Sequence, residues 1–504
     1  MNRIPTPEEL DSHPRIGWPE WTILSLYTAL VAFAIPWHEP WADEAQSWQL
    51  ARSLSLVDLF RTYVRYEGSP GLWHFFLWIL IRLHIGYTGM HWICGAIAVA
   101  ATALLVFKSP FPRYIKLLLP FTYFLLFQYA IVARSYVFVP ILLYLIALCW
   151  KKNPLVAALL LGLLANVALH ATVISAGLAL VYLIQQVRSR GFRDPGHRRQ
   201  LLLSGLALLS LWAFAIWTAW PPHDLATHIS LVRGQSRPIL LEGIRALLWG
   251  VSPHWTLSIA FWVAIALCLR GRRSFLLLLP VLFFAALCGA LHFEWWHIGL
   301  LAPLVICLLW ISWPAPGSEV SRRELIGRTA LVLMATLQIL WSAYAIRFDH
   351  YNAYSPDAVT AEFLRPIVQH GGKIAVTYFD DPIDLAGSAS EVLTYRSVGI
   401  LPYFERNIFI NQPDFFWSWS ARNPTAEMFY EVLPSHPAVV VVEMRTPYPD
   451  SRIDPKDPKF KLLSETGYAF THMFCGARPM GFRLDERSCH LIFQRAISRQ
   501  GAPL

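Results

Sequence analysis

Two adjacent carboxylates, Asp43 and Glu44, lie just past the first apolar span, in Pro40-Trp41-Ala42-Asp43-Glu44-Ala45-Gln46-Ser47-Trp48. Acidic side chains are costly beside hydrocarbon, and those retained there tend to have a task. One carboxylate can take a proton from an attacking hydroxyl, and its neighbour can orient it or share a divalent metal with it. The plain alternative is that both decorate an aqueous loop. Arg134, in Ala133-Arg134-Ser135-Tyr136 at the start of a later apolar segment, adds a cation suited to holding a phosphate.

The elements that must position these groups are mostly lipid-soluble. The chain has 504 residues, 55% of them hydrophobic and 15% charged, with a mean hydropathy of +0.42. A soluble domain carries about 25% charged residues, so the composition is that of a membrane protein. Apolar runs recur from Trp21 to about Ala345, and ordinary mixed sequence follows Arg347.

The net charge of +9 does not indicate nucleic-acid binding. Basic residues cluster between apolar spans, at Lys108/Arg113/Lys116, Lys151-Lys152, Arg188 to Arg199, Arg270/Arg272/Arg273 and Arg322/Arg323/Arg328. Such clusters set orientation by the positive-inside rule. Parity counted from Arg188–Arg199 gives about eleven crossings. It expects 1–20 as a cytoplasmic tail, 21–347 as the transmembrane part with a first outer loop at 38–86, and 348–504 outside. It also expects Tyr114–Val132 to span, Leu72–Ile81 to lie at the outer interface, and Glu44–Val64 to form an amphipathic helix.

Polar residues collect in the expected outer loops. The first holds Arg65, Tyr66, Glu67 and His74 besides the acidic pair. A second runs from Pro221 to His254, and a third is His292-Phe293-Glu294-Trp295-Trp296-His297. The tail reads as a small α/β unit with strands at Lys373–Tyr378 and Ala438–Glu443 and no glycine-rich phosphate loop. Cys475 and Cys489 form a disulfide if that unit faces an oxidising space, with two unpaired thiols as the alternative. The other five cysteines fall in or beside apolar spans and read as packing residues.

The order of these features resembles membrane glycosyltransferases of the GT-C fold. It comprises a first helix, Asp-Glu with nearby tryptophans, then Tyr66-Glu67-Gly68-Ser69-Pro70-Gly71-Leu72-Trp73-His74, then Ala133-Arg134-Ser135-Tyr136, and late in the chain Trp296-His297-Ile298-Gly299-Leu300. Similar families include protein O-mannosyltransferases, lipid A aminoarabinose transferases and lipopolysaccharide-core uronic acid transferases. Two departures bear on the acceptor: Tyr66-Glu67-Gly68-Ser69-Pro70 replaces a His-Pro-Pro-Leu-like segment, and Trp296 precedes His297 where Arg is common.

The resemblance implies a GT-C polytopic α-helical protein with an extracytoplasmic α/β domain, in a bacterial inner membrane. It implies a hexosyl- or pentosyltransferase that takes sugar from a polyprenyl phosphate. The acceptor would be an envelope glycan, lipid or protein. Asp43 and Glu44 are then the catalytic candidates, with a divalent metal near them as one option for Glu44. Arg134, Arg65 and Tyr136 are the donor-phosphate candidates, and Tyr66, Glu67, His74 and His297 the substrate-binding ones. A transporter or flippase is the competing class, but the spans hold essentially no charged residue at their centres, where coupled transport places them. A non-catalytic envelope-assembly scaffold is the third, and it would tolerate Asp43→Asn.

Overall fold

Helices start and stop where the sequence supplies caps and breakers. Asn153 accepts hydrogen bonds from the Leu155 and Val156 amides, with Pro154 at the first helical position. Asp194 serves Gly196 and His197 in the same way, and Ser321 serves Glu324.

The computed structural model describes residues 17–190, 194–222, 238–252, 254–271, 274–291, 293–314, 318–379, 397–412, 433–447, 460–480 and 483–495. The main helices are α1 (Trp18–Ala34), α2 (Ala42–Ser53), α3 (Leu72–Arg82), α4 (Tyr87–Lys108), α5 (Phe138–Cys149), α6 (Pro154–Ala165) and α7 (Leu169–Arg190). There follow α8 (Pro195–Ala219), α9 (Ile239–Trp249), α10 (Trp255–Gly271), α11 (Leu279–Ala290), α12 (Leu301–Ile311), α13 (Arg322–Tyr351) and α14 (Asp357–Gln369).

Five helical segments among the described residues are long and apolar enough to cross a bilayer, and six apolar helices are shorter. They pack as a bundle, with α6 on α8, α7 on α11, α9 on α11 and α10 on α13. Leu202, Leu206 and Leu209 on α8 and Leu333 on α13 stay exposed, as a lipid-facing surface requires. The protein is a polytopic α-helical membrane bundle that carries a small α/β unit.

Two expected helices are broken. Tyr114–Val132 is divided into a short helix at Arg113–Leu118, a 3-10 turn at Leu119–Phe121 and a π turn at Phe124–Gln128. Pro120 contributes no amide donor, and irregular backbone is tolerated at such depth only when enclosed by protein. Phe124, Leu125, Leu126 and Phe127 are all buried. The second, Glu44–Val64, stops at Ser53, and Ser55 caps a new turn by accepting from the Asp58 amide. Trp48, Leu50 and Leu54 are buried in protein and do not face a membrane interface. The expected polar stretch from Pro221 to His254 also contains α9, an apolar helix.

The tail forms one sheet of β1 (Ile374–Phe379), β2 (Val439–Pro447), β3 (Tyr468–Met480) and β4 (Arg483–Arg495), in the order β1-β2-β4-β3. β1 and β2 are parallel, with Ile374 opposite Val439; the other pairings are antiparallel. Val440, Val442, Leu491 and Phe493 pack one buried cluster, and Ile374, Val376, Val441 and Ile492 another on the sheet's other face. Cys475 and Cys489 are directly opposite in β3 and β4 and are joined by a disulfide.

The α/β unit is seated on α2 and on the end of α13. Arg52 donates to the Phe404 carbonyl at 2.7 Å, and the Ala477 amide donates to the Ala353 carbonyl at 2.9 Å. Thus the helix that bears Asp43 is held between the bundle and the sheet domain.

Candidate active site

Asp43 and Glu44 open α2, with Trp41 as the N-cap. Anionic side chains in a first turn are favoured by the helix dipole. Glu44 also accepts a hydrogen bond from the Trp41 amide at 3.0 Å, which closes the turn back on itself. Successive helical positions diverge by about 100°, so the two carboxylates point different ways.

Asp43 meets Arg134. Arg134 Nη1 lies 2.7 Å from Asp43 Oδ2, in an ion pair whose side chains are 19% and 15% exposed. The guanidinium is enclosed by aromatic faces: Trp296 at 5.1 Å, Tyr136 at 5.3 Å and Trp41 at 5.6 Å. The Tyr129 hydroxyl fixes this wall by donating to the Trp296 carbonyl at 2.8 Å. A second cation comes from the sheet domain, where Arg478 on β3 stacks on Trp41 at 4.4 Å.

Glu44 turns into the protein and is fully buried. One oxygen accepts from the Ala133 amide at 2.7 Å and the other from Trp41. A hydrogen bond to a charged acceptor is worth about 1.5–3 kcal/mol net, so Glu44 pins the residue preceding Arg134. The broken segment at 119–137 is what delivers that amide. Asp43 and Glu44 therefore have different partners. Glu44 also faces His38 and His91, and His38 contacts Asp349 at 2.9 Å.

Glu67 joins the Asp43 side of the helix. It accepts from the Gln46 amide nitrogen at 2.9 Å. Burial pushes its carboxyl up to about 7 against the pull of Gln46, with Asp43 adding to the rise and Arg134 opposing it. Gly68 follows with φ +59°, a left-handed turn that sends the chain back towards α3. His297 lies 5.9 Å from the Tyr136 ring and stacks on His170 at 4.2 Å, so it belongs to the same aromatic wall.

Three expected site residues make other contacts. Arg65 donates to the Trp220 carbonyl at 3.0 Å, and with Tyr66, Phe60 and Trp217 it lines a separate cavity of about 680 Å³. It is not among the cations around Asp43. Tyr66 is thereby a cavity residue at the end of α8. His74 is buried in α3 with no hydrogen-bond partner on either nitrogen. His223, Asp224, His228, Arg233, Arg237 and His292 are outside the described residues.

Arg478, His38, His91 and Asp349 were not singled out by sequence as parts of this site. His38, His91 and Asp349 share only polar character near apolar spans, as many other residues do, and Arg478 lies in the mixed sequence of the tail.

No protein-family model and no curated protein sequence matches the chain. The crystal structure of ArnT from Cupriavidus metallidurans bound to undecaprenyl phosphate superposes with a TM-score of 0.52. The match covers 97% of this chain and 100% of that one at 10% identity. The chain has the GT-C fold.

Proposed function

We propose that this protein is a glycosyltransferase that moves a sugar from a polyprenyl phosphate to an envelope acceptor. The observation that carries the reading is the Asp43–Arg134 pair, a carboxylate and a guanidinium in contact at the start of a helix between bundle and sheet domain. The fold likeness supports it, since that ArnT structure holds undecaprenyl phosphate.

Asp43 takes the proton of the acceptor hydroxyl as its oxygen attacks the anomeric carbon. The new carbon–oxygen bond forms as the bond to the phosphate oxygen breaks. The electron pair leaves on the phosphate, and Arg134 meets that growing negative charge. The rings of Trp41, Trp296 and Tyr136 exclude water from the guanidinium and suit the flat faces of a sugar. Glu44 holds Asp43 and Ala133 in place from behind, and Glu67 and His297 are the further substrate contacts in this reading.

In this reading the protein sits in a bacterial inner membrane, with the Asp43 face and the sheet domain outside the cytoplasm. Nucleotide sugars are cytosolic, so a lipid-linked donor is the consistent one there. The sugar is a hexose or pentose, and the acceptor is a glycan, lipid or protein. Mass spectrometry of envelope glycans and polyprenyl-phosphate sugars, with and without the gene, tests the reading. Loss of one glycan residue together with build-up of one lipid-linked sugar is expected. Identical profiles would contradict it.

A further inference from the structure

Behind Asp43, on the other side of α2, three buried side chains converge. Glu44 faces His38 Nε2 at 3.6 Å with one oxygen and His91 Nε2 at 3.5 Å with the other. One donor atom from each residue lies within 4.8 Å of the other two. Glu44, His38 and His91 are 0%, 5% and 3% exposed.

Each imidazole is held from behind by oxygen. His38 Nδ1 is 2.9 Å from Asp349 Oδ2, and His91 Nδ1 is 3.1 Å from the Ile131 carbonyl oxygen. A carbonyl oxygen cannot donate, so the proton of a neutral His91 is on Nδ1 and the Nε2 lone pair faces Glu44. A neutral His38 takes the same tautomer against the Asp349 carboxylate, whereas a protonated His38 would itself be the cation beside Glu44. Neither Nε2 has a hydrogen-bond partner. Two lone pairs directed at an anion in an enclosed pocket repel it unless a cation stands between them. A histidine whose other nitrogen donates to a carboxylate or carbonyl is also the usual form of a metal ligand.

The spacing agrees. Nitrogen–oxygen gaps of 3.5 and 3.6 Å exceed hydrogen-bond lengths of about 2.7–3.2 Å. Around a tetrahedral zinc, with bonds of about 2.0–2.2 Å, neighbouring ligand atoms lie about 3.4 Å apart. A dication there is also balanced by the two carboxylates, Glu44 and Asp349.

We propose that His38, Glu44 and His91 bind one divalent transition metal of the zinc type, with Asp349 and the Ile131 carbonyl orienting the imidazoles. The metal joins the chain after α1, the first turn of α2 and α4 at one point. Since Glu44 also holds the Ala133 amide, the ion fixes the two segments that carry Asp43 and Arg134. It is a positioning metal and lies outside the reacting groups. The proposal is independent of glycosyl transfer, because its test reads metal and not turnover.

The full chain is purified in detergent without chelator, incubated with excess Zn²⁺, desalted and analysed by elemental mass spectrometry. About one equivalent per chain is expected. Stripping and reloading with Co²⁺ should give the intense visible bands of a tetrahedral cobalt site. His91→Gln and His38→Gln should each lower retained metal by roughly tenfold or more, while Asp43→Asn retains the full equivalent. Size-exclusion profiles show which variants are folded, and the wild-type measurement decides even if neither histidine variant is. Less than about a tenth of an equivalent in the wild type overturns the proposal and leaves a protonated His38 as the cation. So does loss of the metal in folded Asp43→Asn, or full retention in both folded histidine variants.

Discussion

Asp43 and Arg134 touch, at 2.7 Å, across 91 positions of sequence, and the contact is made from two segments that Glu44 ties together. In the proposed reaction the pairing puts the base and the phosphate-holding cation in one place before any substrate arrives. Preorganisation of this kind is where much of a catalyst's advantage lies, since the groups need not be reassembled in each turnover.

Removing the cation should affect donor and rate together. Arg134→Ala takes positive charge from the phosphate in the bound donor and, more so, in the transition state. Affinity for a polyprenyl phosphate should fall about tenfold and turnover by about a hundredfold or more. Titration of the purified variant with the lipid phosphate reads the first, and single-turnover transfer the second. Unchanged donor affinity would assign Arg134 to holding Asp43 alone.

The sheet domain should contribute to the site through Arg478. A guanidinium stacked on an indole, as Arg478 is on Trp41 at 4.4 Å, is worth about 0.5–2 kcal/mol. Arg478→Ala should therefore reduce kcat/KM by about 2- to 30-fold while the protein stays folded. Steady-state transfer kinetics at matched melting temperature check this. Wild-type kcat/KM would confine the domain to a structural role.

Stability should carry a signature of Glu67. Its carboxyl is raised from 4.5 to about 7, so the proton is bound more tightly in the folded chain. That contribution is complete below about 4.5 and is lost as pH rises through about 7. Thermal melts of wild type and Glu67→Gln between pH 5 and 8 should diverge, with the wild type losing more as pH rises. Parallel profiles would mean that Glu67 is ionised throughout.

The Cys475–Cys489 bridge should strengthen the β3–β4 hairpin. Cys475→Ser with Cys489→Ser should destabilise the sheet domain by about 2–4 kcal/mol. Non-reducing alkylation should label neither thiol in the wild type. Labelling of both would show that the bridge does not form.

Much of the bundle was legible because lipid imposes long apolar runs. Tyr114–Val132 misled because apolar length alone does not distinguish a span from an enclosed irregular segment, and Pro120 was the residue that broke it. Within the site, Asp43 and Arg134 could be picked out as a carboxylate and a cation beside apolar sequence. Their direct contact could not, because it depends on how the segment at 119–137 is folded. Arg65 was expected as a donor-phosphate residue of the first outer loop, yet it turns to Trp220, and the second cation near Trp41, Arg478, arrives from β3. His38 and His91 share no ligand spacing, since tertiary packing of α1, α2 and α4 alone brings them to Glu44. The β3–β4 hairpin was missed because its strands carry Gly476, Pro479 and several charges in place of a continuous β-branched run.

The central claim is that Asp43 is the base. Transfer from a panel of polyprenyl-phosphate sugars to envelope acceptors, with purified wild type and Asp43→Asn side by side, tests it most directly. Asn keeps the shape of the side chain but cannot take the proton. The wild type should transfer from at least one donor, and the variant should bind that donor comparably while turning over about a hundredfold more slowly, or worse. Transfer by Asp43→Asn at the wild-type rate would contradict the account.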